Sequence, residues 1–432
     1  MTDTTRPVQA GRDPERDPGG RLRGWTYWPV ISHPVIRRLL PGYALSALGD
    51  GMSVVAIAWL ALRLAPRADQ GLWVGAAVAA YSVPGVLGAA LLGRWLRHRA
   101  GVGLAGADAT LRAVALGAIP VLNAVHLLGP ATYVSLLGVS SLLHAWGSAG
   151  QYTLVAEVLP AQHRIAGNAL LAGLAEMTLT IGPALAGLLT AVVGPATVIG
   201  ADAATWAVLA VSYAFAAPRT PRPPAAGPEE GGRAGVSGLR MIGASRTLLG
   251  LVVLSFMFFL LYGPVEVALP VHVATDLHGS AALLGWFWGT YGVGAVVGSL
   301  IAPYLRNWPL WPTMIGIVAG WGLALLPMGL GAPTGVSLVG FAIGGVIFAP
   351  YNSIAMAVFQ DRAPAGAMAS LLAARAGLMI VAAPLGTALG GPLVTAFGAS
   401  GALLVSALTT IALAVLAAAA QVSRRRTPAR PG

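Results

Sequence analysis

The 432-residue chain has no cysteine, and its 26 basic residues are all arginine, so lysine is absent too. Without cysteine there is no disulfide framework, no thiolate metal site and no cysteine nucleophile. Charge is scarce: Asp, Glu, Lys and Arg make up 9% of residues, where a soluble chain carries about a quarter. The first 38 residues are polar and Arg-bearing, with no apolar core of a cleavable leader. The first membrane helix is therefore expected to act as the targeting signal. No G-x-x-x-x-G-K-[ST] run occurs, so the chain carries no nucleotide-driven motor of its own. His is scattered and Cys is missing, so no metal site, cofactor site or clustered set of catalytic groups is expected.

What the chain has is hydrocarbon. Fifty-six per cent of residues are hydrophobic and the mean hydropathy is +0.75. The apolar residues fall into twelve blocks, each able to cross a ~30 Å hydrocarbon core as a helix. They lie near 39–65, 72–95, 101–126, 130–151, 166–193 and 196–217, then 247–272, 281–304, 309–330, 334–357, 368–395 and 399–420. This pattern excludes a soluble enzyme, a nucleic-acid binder and a disordered chain. The Pro/Gly-rich polar stretch 218–246 has the composition of a flexible linker. The expected organisation is a tail (1–38), a six-helix bundle (39–217), the linker, a second bundle (247–420) and a short tail (421–432).

Arginine placement sets the expected orientation. Twenty-two arginines fall in the tails, the linker and the even-numbered loops, and only Arg63 and Arg67 fall on the other side. Arg112 and Arg375 lie inside spans. Both termini are therefore expected in the cytoplasm, in a multi-pass protein of the inner (plasma) membrane. An internal repeat supports two related halves. A shift of 204 residues pairs Gly182, Gly187 and Gly194 with Gly386, Gly391 and Gly398, and Glu157 and Pro160 with Asp361 and Pro364. A shift of 210 pairs Gly75, Tyr81 and Gly88 with Gly285, Tyr291 and Gly298. Two such bundles facing each other form the architecture of many secondary transporters, with cargo bound between them near the midplane.

Several motifs carry a family resemblance: SALGDG (Ser46 to Gly51), ADATLRA (Ala107 to Ala113), AGNAL (Ala166 to Leu170) leading into IGPALAG (Ile181 to Gly187), FAPYNS (Phe348 to Ser353) and AARAGLMIVAAPLGTALGG (Ala373 to Gly391). In order and spacing over nearly all of 36–420, the chain resembles the major facilitator superfamily, and within it the exporter branch with macrolide-efflux pumps and the enterobactin exporter. The resemblance implies an all-α fold of twelve transmembrane helices in two pseudosymmetric six-helix bundles. One departure stands out. The loop after the second helix in this superfamily usually holds an acid that latches the cytoplasmic side, and here Arg97 occupies that place in Gly93–Arg99. Gly182, Pro183 and Gly187 resemble the fifth-helix signature of antiporters, which reads equally as close helix packing.

Five acids lie inside apolar spans: Asp50, Asp108, Glu176, Asp202 and Glu266. Each needs a partner, a proton or a wet cavity, because a charge at the bilayer centre costs a few kcal/mol even on lenient scales. Asp108 and Arg112 are four apart on one helix and read as a structural ion pair. Asp202 reads as structural as well. Asp50, about midway along the first helix, reads as a proton-exchanging carboxyl or as a packing acid, and Glu176 is the second proton-coupling candidate. Arg375, Tyr351, Asn352, Glu266 and His144 are the candidates for lining a substrate cavity. Trp286, Phe287 and Trp288 form an aromatic cluster that offers at most one or two rings to a bulky cargo.

The expected function is proton-coupled efflux of a bulky, largely apolar small molecule by alternating access. The expected partners are that molecule, protons and the lipid bilayer, with no nucleic acid and no cofactor, and a monomer is expected. The alternatives are a transporter of a siderophore or a lipid-like substrate, in the first case with Arg375 holding an anionic group, and a transport-inactive membrane sensor or assembly protein.

Overall fold

The computed structural model describes residues 27–92, 100–217, 238–362 and 368–426. Among the described residues every regular element is helical. The first half contains α1 (Pro34–Leu64), α2 (Gln70–Leu91), α3 (Gly101–Ala124), α4 in two segments (Pro130–Ser141 and His144–Val158), α5 (Ala161–Val193) and α6 (Pro195–Ala216). The second half contains α7 (Arg246–Thr275), α8 (Ala281–Ile301), α9 (Leu310–Gly329) and α10 in two segments (Thr334–Phe348 and Pro350–Arg362). α11 and α12 form one run, Met368–Arg426, that turns at Gly398.

Local chemistry explains many of these boundaries. Pro34, Pro130, Pro195 and Pro350 sit at the first helical position, where a missing N–H costs nothing. Ser245 caps α7 by accepting a hydrogen bond from the Leu248 amide at 3.3 Å. Gly194 and Gly398, matched by the repeat, have φ of 84° and 72°, a region that other residues rarely enter. Each turns the chain sharply between two consecutive helices.

The structure moves some of the sequence-derived limits. α1 begins at Pro34 rather than 39, because Pro34 starts the helix and Val35, Ile36 and Leu39 are all buried. α12 runs on to Arg426, beyond the expected end at 420. The fourth span is longer than expected and broken, with Leu142 and Leu143 outside both segments. The loop Gly93–Arg99 and most of the expected linker and tails lie outside the described residues.

Nine helical runs are each long and apolar enough to cross a membrane, among the described residues. Those nine take α11 and α12 as one run and leave out α4 and α5, so they are compatible with twelve crossings. α1 packs on α5 and α6, α3 on α4 and α6, and α2 on α4. α7 and α9 pack on the α11–α12 run, and α8 on α10. Two six-helix bundles result.

Two seams join the bundles, α5 to α8 and α2 to α11. Each seam is a contact of backbone on backbone. A Cβ on Gly285 would lie 2.5 Å from the Cα of Gly187, and one on Gly75 would lie 2.6 Å from the Cα of Gly391. The repeat matches Gly75 to Gly285 and Gly187 to Gly391, so one glycine pair is used twice. Both contacts lie in the half of the molecule away from the chain termini. Without a hydrophobic drive between helices in lipid, such close approach is how membrane helices gain contact.

Candidate transport site

Where α1, α2, α3, α4 and α6 converge, a polar cluster surrounds Arg112. The side chain of Arg112 is 1% exposed, and its guanidinium serves four partners. Nη1 lies 3.0 Å from Asp50 Oδ1 and donates to the Tyr81 hydroxyl at 3.1 Å. Nη2 lies 2.5 Å from His144 Nδ1. Nε lies 3.6 Å from Asp108 Oδ1, an ion pair without a hydrogen bond. The Tyr81 hydroxyl donates in turn to Asp50. Trp206 covers the guanidinium at 4.6 Å from its ring centroid, within cation–π range.

The expected i,i+4 pair of Asp108 and Arg112 is present, but the shorter bond goes from Arg112 to Asp50. The chain spacing of 62 residues between those two gave no sign of it. Guanidinium donates only, so Nδ1 of His144 accepts from it and Nε2 carries the ring proton. His144 takes this position because α4 breaks just before it, starting a new helix at that residue. Asp202 is fully buried on α6, accepting from Ser53 Oγ at 2.5 Å, with the Thr205 hydroxyl 3.5 Å from its carboxylate.

Three carboxyls thus share the neighbourhood of one guanidinium. A buried site does not hold that excess of negative charge without protons, a cationic guest or water. Water access is provided by two cavities. One of about 330 Å³ is lined by Asp50, Asp108, His144, Trp206, Tyr43 and Gln151, and so extends toward the end bearing the termini. The other, of about 300 Å³, lies between the bundles, with Asp50, Tyr81, Arg112 and His144 on one wall and Ile380 and Pro384 of α11 on the other. Asp50 and His144 border both.

The fifth-helix motif links this cluster to a seam. A Cβ on Gly182 would strike the backbone of Gly51, the neighbour of Asp50, and Gly187 meets Gly285 across the bundle boundary. α5 therefore touches the acid-bearing turn of α1 and the opposite bundle within a turn and a half.

The remaining candidates lie elsewhere. Tyr351 is buried in a stack of rings and shares a hydrogen bond with Ser255 at 3.0 Å, while its neighbour Asn352 is exposed. Arg375 is half-buried, its guanidinium 5.4 Å from the Phe359 ring centroid. Glu266 on α7 accepts from Thr387 of α11 at 3.0 Å. The Glu176 side chain lies outside the described residues. Of the three-ring sequence on α8, Phe287 and Trp288 are buried in the stack and Trp286 is exposed. Sequence reasoning did not single out Tyr81 and Trp206 as site residues. Tyr81 was visible only as a repeat match to Tyr291, and Trp206 only as the residue one turn beyond Asp202.

An all-helical, membrane-crossing chain of two bundles, with a charged cluster between cavities, has the build of a membrane transporter. The chain belongs to the Major Facilitator Superfamily, whose family model matches residues 39–374. Among its relatives, the multidrug efflux pump Tap of Mycobacterium tuberculosis (strain ATCC 25618 / H37Rv) is 30% identical over 391 residues, covering 86% of this chain and 90% of the pump. The Tap pump of Mycolicibacterium fortuitum is 26% identical, covering 85% and 91%. Among solved structures, an inward-facing bacterial homologue of the iron transporter ferroportin gives a TM-score of 0.66 at 16% identity, covering 89% of this chain and 98% of that one. A D-xylose–proton symporter gives 0.65 at 14% identity, covering 88% and 97%. At these identities the structural likeness speaks for the fold alone.

Proposed function

We propose that this protein is a proton-coupled exporter of bulky, largely apolar small molecules, working by alternating access in the inner (plasma) membrane. The observation that carries the reading is the shared position of Asp50: bonded to Arg112, bordering both cavities, and next to the glycine on which α5 packs. The efflux pumps to which the chain is similar support the cargo class and the direction. The arginine bias supports cytoplasmic termini and a cytoplasmic segment between Ala217 and Arg246. In that orientation the glycine seams close the outer face and the polar cavity opens to the cytoplasm.

The mechanism then follows from the charge excess. With Asp50 ionised, Arg112 holds it and the inward-open cavity accepts cargo. Once the outer face opens, cargo leaves and a proton neutralises Asp50, which weakens its bond to Arg112. With one negative charge fewer, the cluster is cheaper to enclose during the return, as a buried charge is what the apolar surroundings penalise. Release of the proton to the cytoplasm restores the ion pair.

The test is proton flux in sealed proteoliposomes of known orientation, challenged with macrolides, dyes and siderophores. Asp50→Asn is expected to abolish cargo-evoked proton movement while leaving cargo binding measurable, and Glu176→Gln serves as the comparison. Unchanged proton movement in Asp50→Asn would remove Asp50 from the mechanism. Arg375 is half-buried and has no carboxylate partner among the described residues, so the siderophore arm also tests an anionic cargo contact.

A further inference from the structure

A crevice of about 820 Å³ runs along the α5–α8 seam and is separate from the charged cluster. Its walls come from both bundles: Ile181, Leu185 and Leu188 of α5 on one side, α8 and the first segment of α10 on the other. The close backbone approach of Gly187 to Gly285, one of the contacts between the bundles, lies at its back. Among the described lining residues the polar side-chain groups are the Thr290 hydroxyl, already donated to the Phe287 carbonyl at 3.0 Å, and the Trp286 indole N–H. A water needs two to four polar partners to stay in a cavity, and this one offers almost none.

The rim of the crevice is turned outward. Trp286 and Val293 are each 66% exposed, Leu188 and Val339 each 61%. These residues lie within membrane-crossing helices, so hydrocarbon is what they meet. The lining extends along α8 from Ala282 to Val297, about 22 Å at 1.5 Å per residue. That exceeds the ~15 Å of hydrocarbon in one leaflet. A dry apolar groove of this length fits an extended aliphatic chain.

We infer that the α5–α8 crevice is a binding site for one acyl chain of a bilayer phospholipid, and that the bound chain holds the seam closed. The state dependence follows from the walls. A chain lying against α5 of one bundle and α8 and α10 of the other keeps its contacts only while Gly187 and Gly285 remain together. A ligand shifts a conformational equilibrium by its difference in affinity for the two states. The occupied crevice therefore favours the arrangement described above, and alternation requires the chain to leave or slide. The inference does not depend on proton coupling or on the identity of the cargo.

The test uses the full-length protein in nanodiscs of palmitoyl-oleoyl phosphatidylglycerol, with native mass spectrometry counting the phospholipids retained after gentle release. Val293→Trp and Ile343→Trp fill the crevice from exposed rim positions, where the added ring displaces no buried side chain. Wild type is expected to retain one phospholipid more than either variant, each variant being first checked for an unchanged gel-filtration profile. In the natural cysteine-free background, Tyr152→Cys at the mouth of the polar cavity reports opening toward the terminal end. Its labelling is expected to be at least about threefold faster in long-chain than in dihexanoyl phosphatidylglycerol, a modest population shift, and to lose that dependence when combined with Ile343→Trp. Equal lipid counts in all three proteins, or labelling indifferent to chain length, would overturn the inference. So would filled variants that keep the lipid count and lose cargo transport, since the crevice would then be a cargo path.

Discussion

The two bundles share a backbone plan and fill it with opposite chemistry. The contact of Gly182 on Gly51 in the first bundle has its counterpart in Gly386 on Gly263 in the second, which equates Asp50 with Tyr262. The 210-residue repeat equates Tyr81 with Tyr291. The approaches of Gly88 to Leu142 and of Gly298 to Val346 equate His144 with Phe348, and those of Gly200 to Pro120 and of Leu404 to Gly329 equate Arg112 with Trp321. The first bundle thus holds Asp50, Tyr81, Arg112 and His144 in one cluster, where the second holds Tyr262, Tyr291, Trp321 and Phe348.

The second set forms a continuous stack. Trp321 lies 5.6 Å from Tyr262, 5.8 Å from Tyr291 and 5.4 Å from Phe348, centroid to centroid. Stacked rings have one good arrangement and no charge to move. A carboxylate on a shared guanidinium has at least two states, bonded and protonated. On the proposed mechanism the moving chemistry belongs to the first bundle, and the ring stack of the second is its rigid wall.

The largest effect expected is for Arg112→Leu. It leaves Asp50 and Asp108 without their counter-charge, a loss of about 3–5 kcal/mol for a broken buried pair, and transport should fall to background in the proteoliposome assay. If transport survives while the counterpart change Trp321→Leu abolishes it, the assignment of roles is reversed. Next in size is a lock on the seam. With no natural cysteine to interfere, Gly71→Cys with Val394→Cys joins α2 to α11, where a Cβ on Gly71 would lie 2.9 Å from that of Val394. Oxidation should stop transport and a reductant should restore it, read as efflux before and after treatment.

A smaller effect is expected for Trp321→Leu itself, which thins the ring stack. Thermal unfolding should show a loss of about 1–3 kcal/mol, with cargo-evoked proton movement retained. The smallest concerns the outer end of α7. Partial burial pushes the Asp276 carboxyl up, but hydrogen bonds from Ser400, His272 and Thr275 outweigh it and hold the group below its usual range. A depressed folded-state pKa gives stability that is full above the unfolded value near 3.9 and is lost as pH falls through the folded one. Ser400→Ala, which removes the 2.5 Å hydroxyl bond, should lower thermal stability slightly at pH 7, and the difference should shrink below about pH 4.

How legible this was in the chain varied with the range of the interaction. Apolar runs and the repeat marked the helices, with ends off by up to seven residues, because each depends on neighbours in sequence. Gly194 and Gly398 were visible as matched glycines, and their turns were found where the repeat placed them. The site was half legible. Asp108 and Arg112 could be paired by helical spacing, but Asp50 had no visible partner, and the break in α4 that brings His144 to Arg112 carries no proline to announce it. Tyr351, expected to line a substrate cavity, packs among Phe258, Phe259 and Ser255 rather than in the cavity around Asp50.

The sequence by itself determined that this chain lives in a bilayer, crosses it as helices and repeats itself, since solvent transfer and backbone hydrogen bonding act locally and each span must satisfy them alone. Only the tertiary structure decided which buried acid shares the arginine, which glycines close the seams and where the apolar crevice opens. Those depend on helices brought together from distant parts of the chain, and the free energy of a buried charge depends on what lies within a few ångströms of it in space.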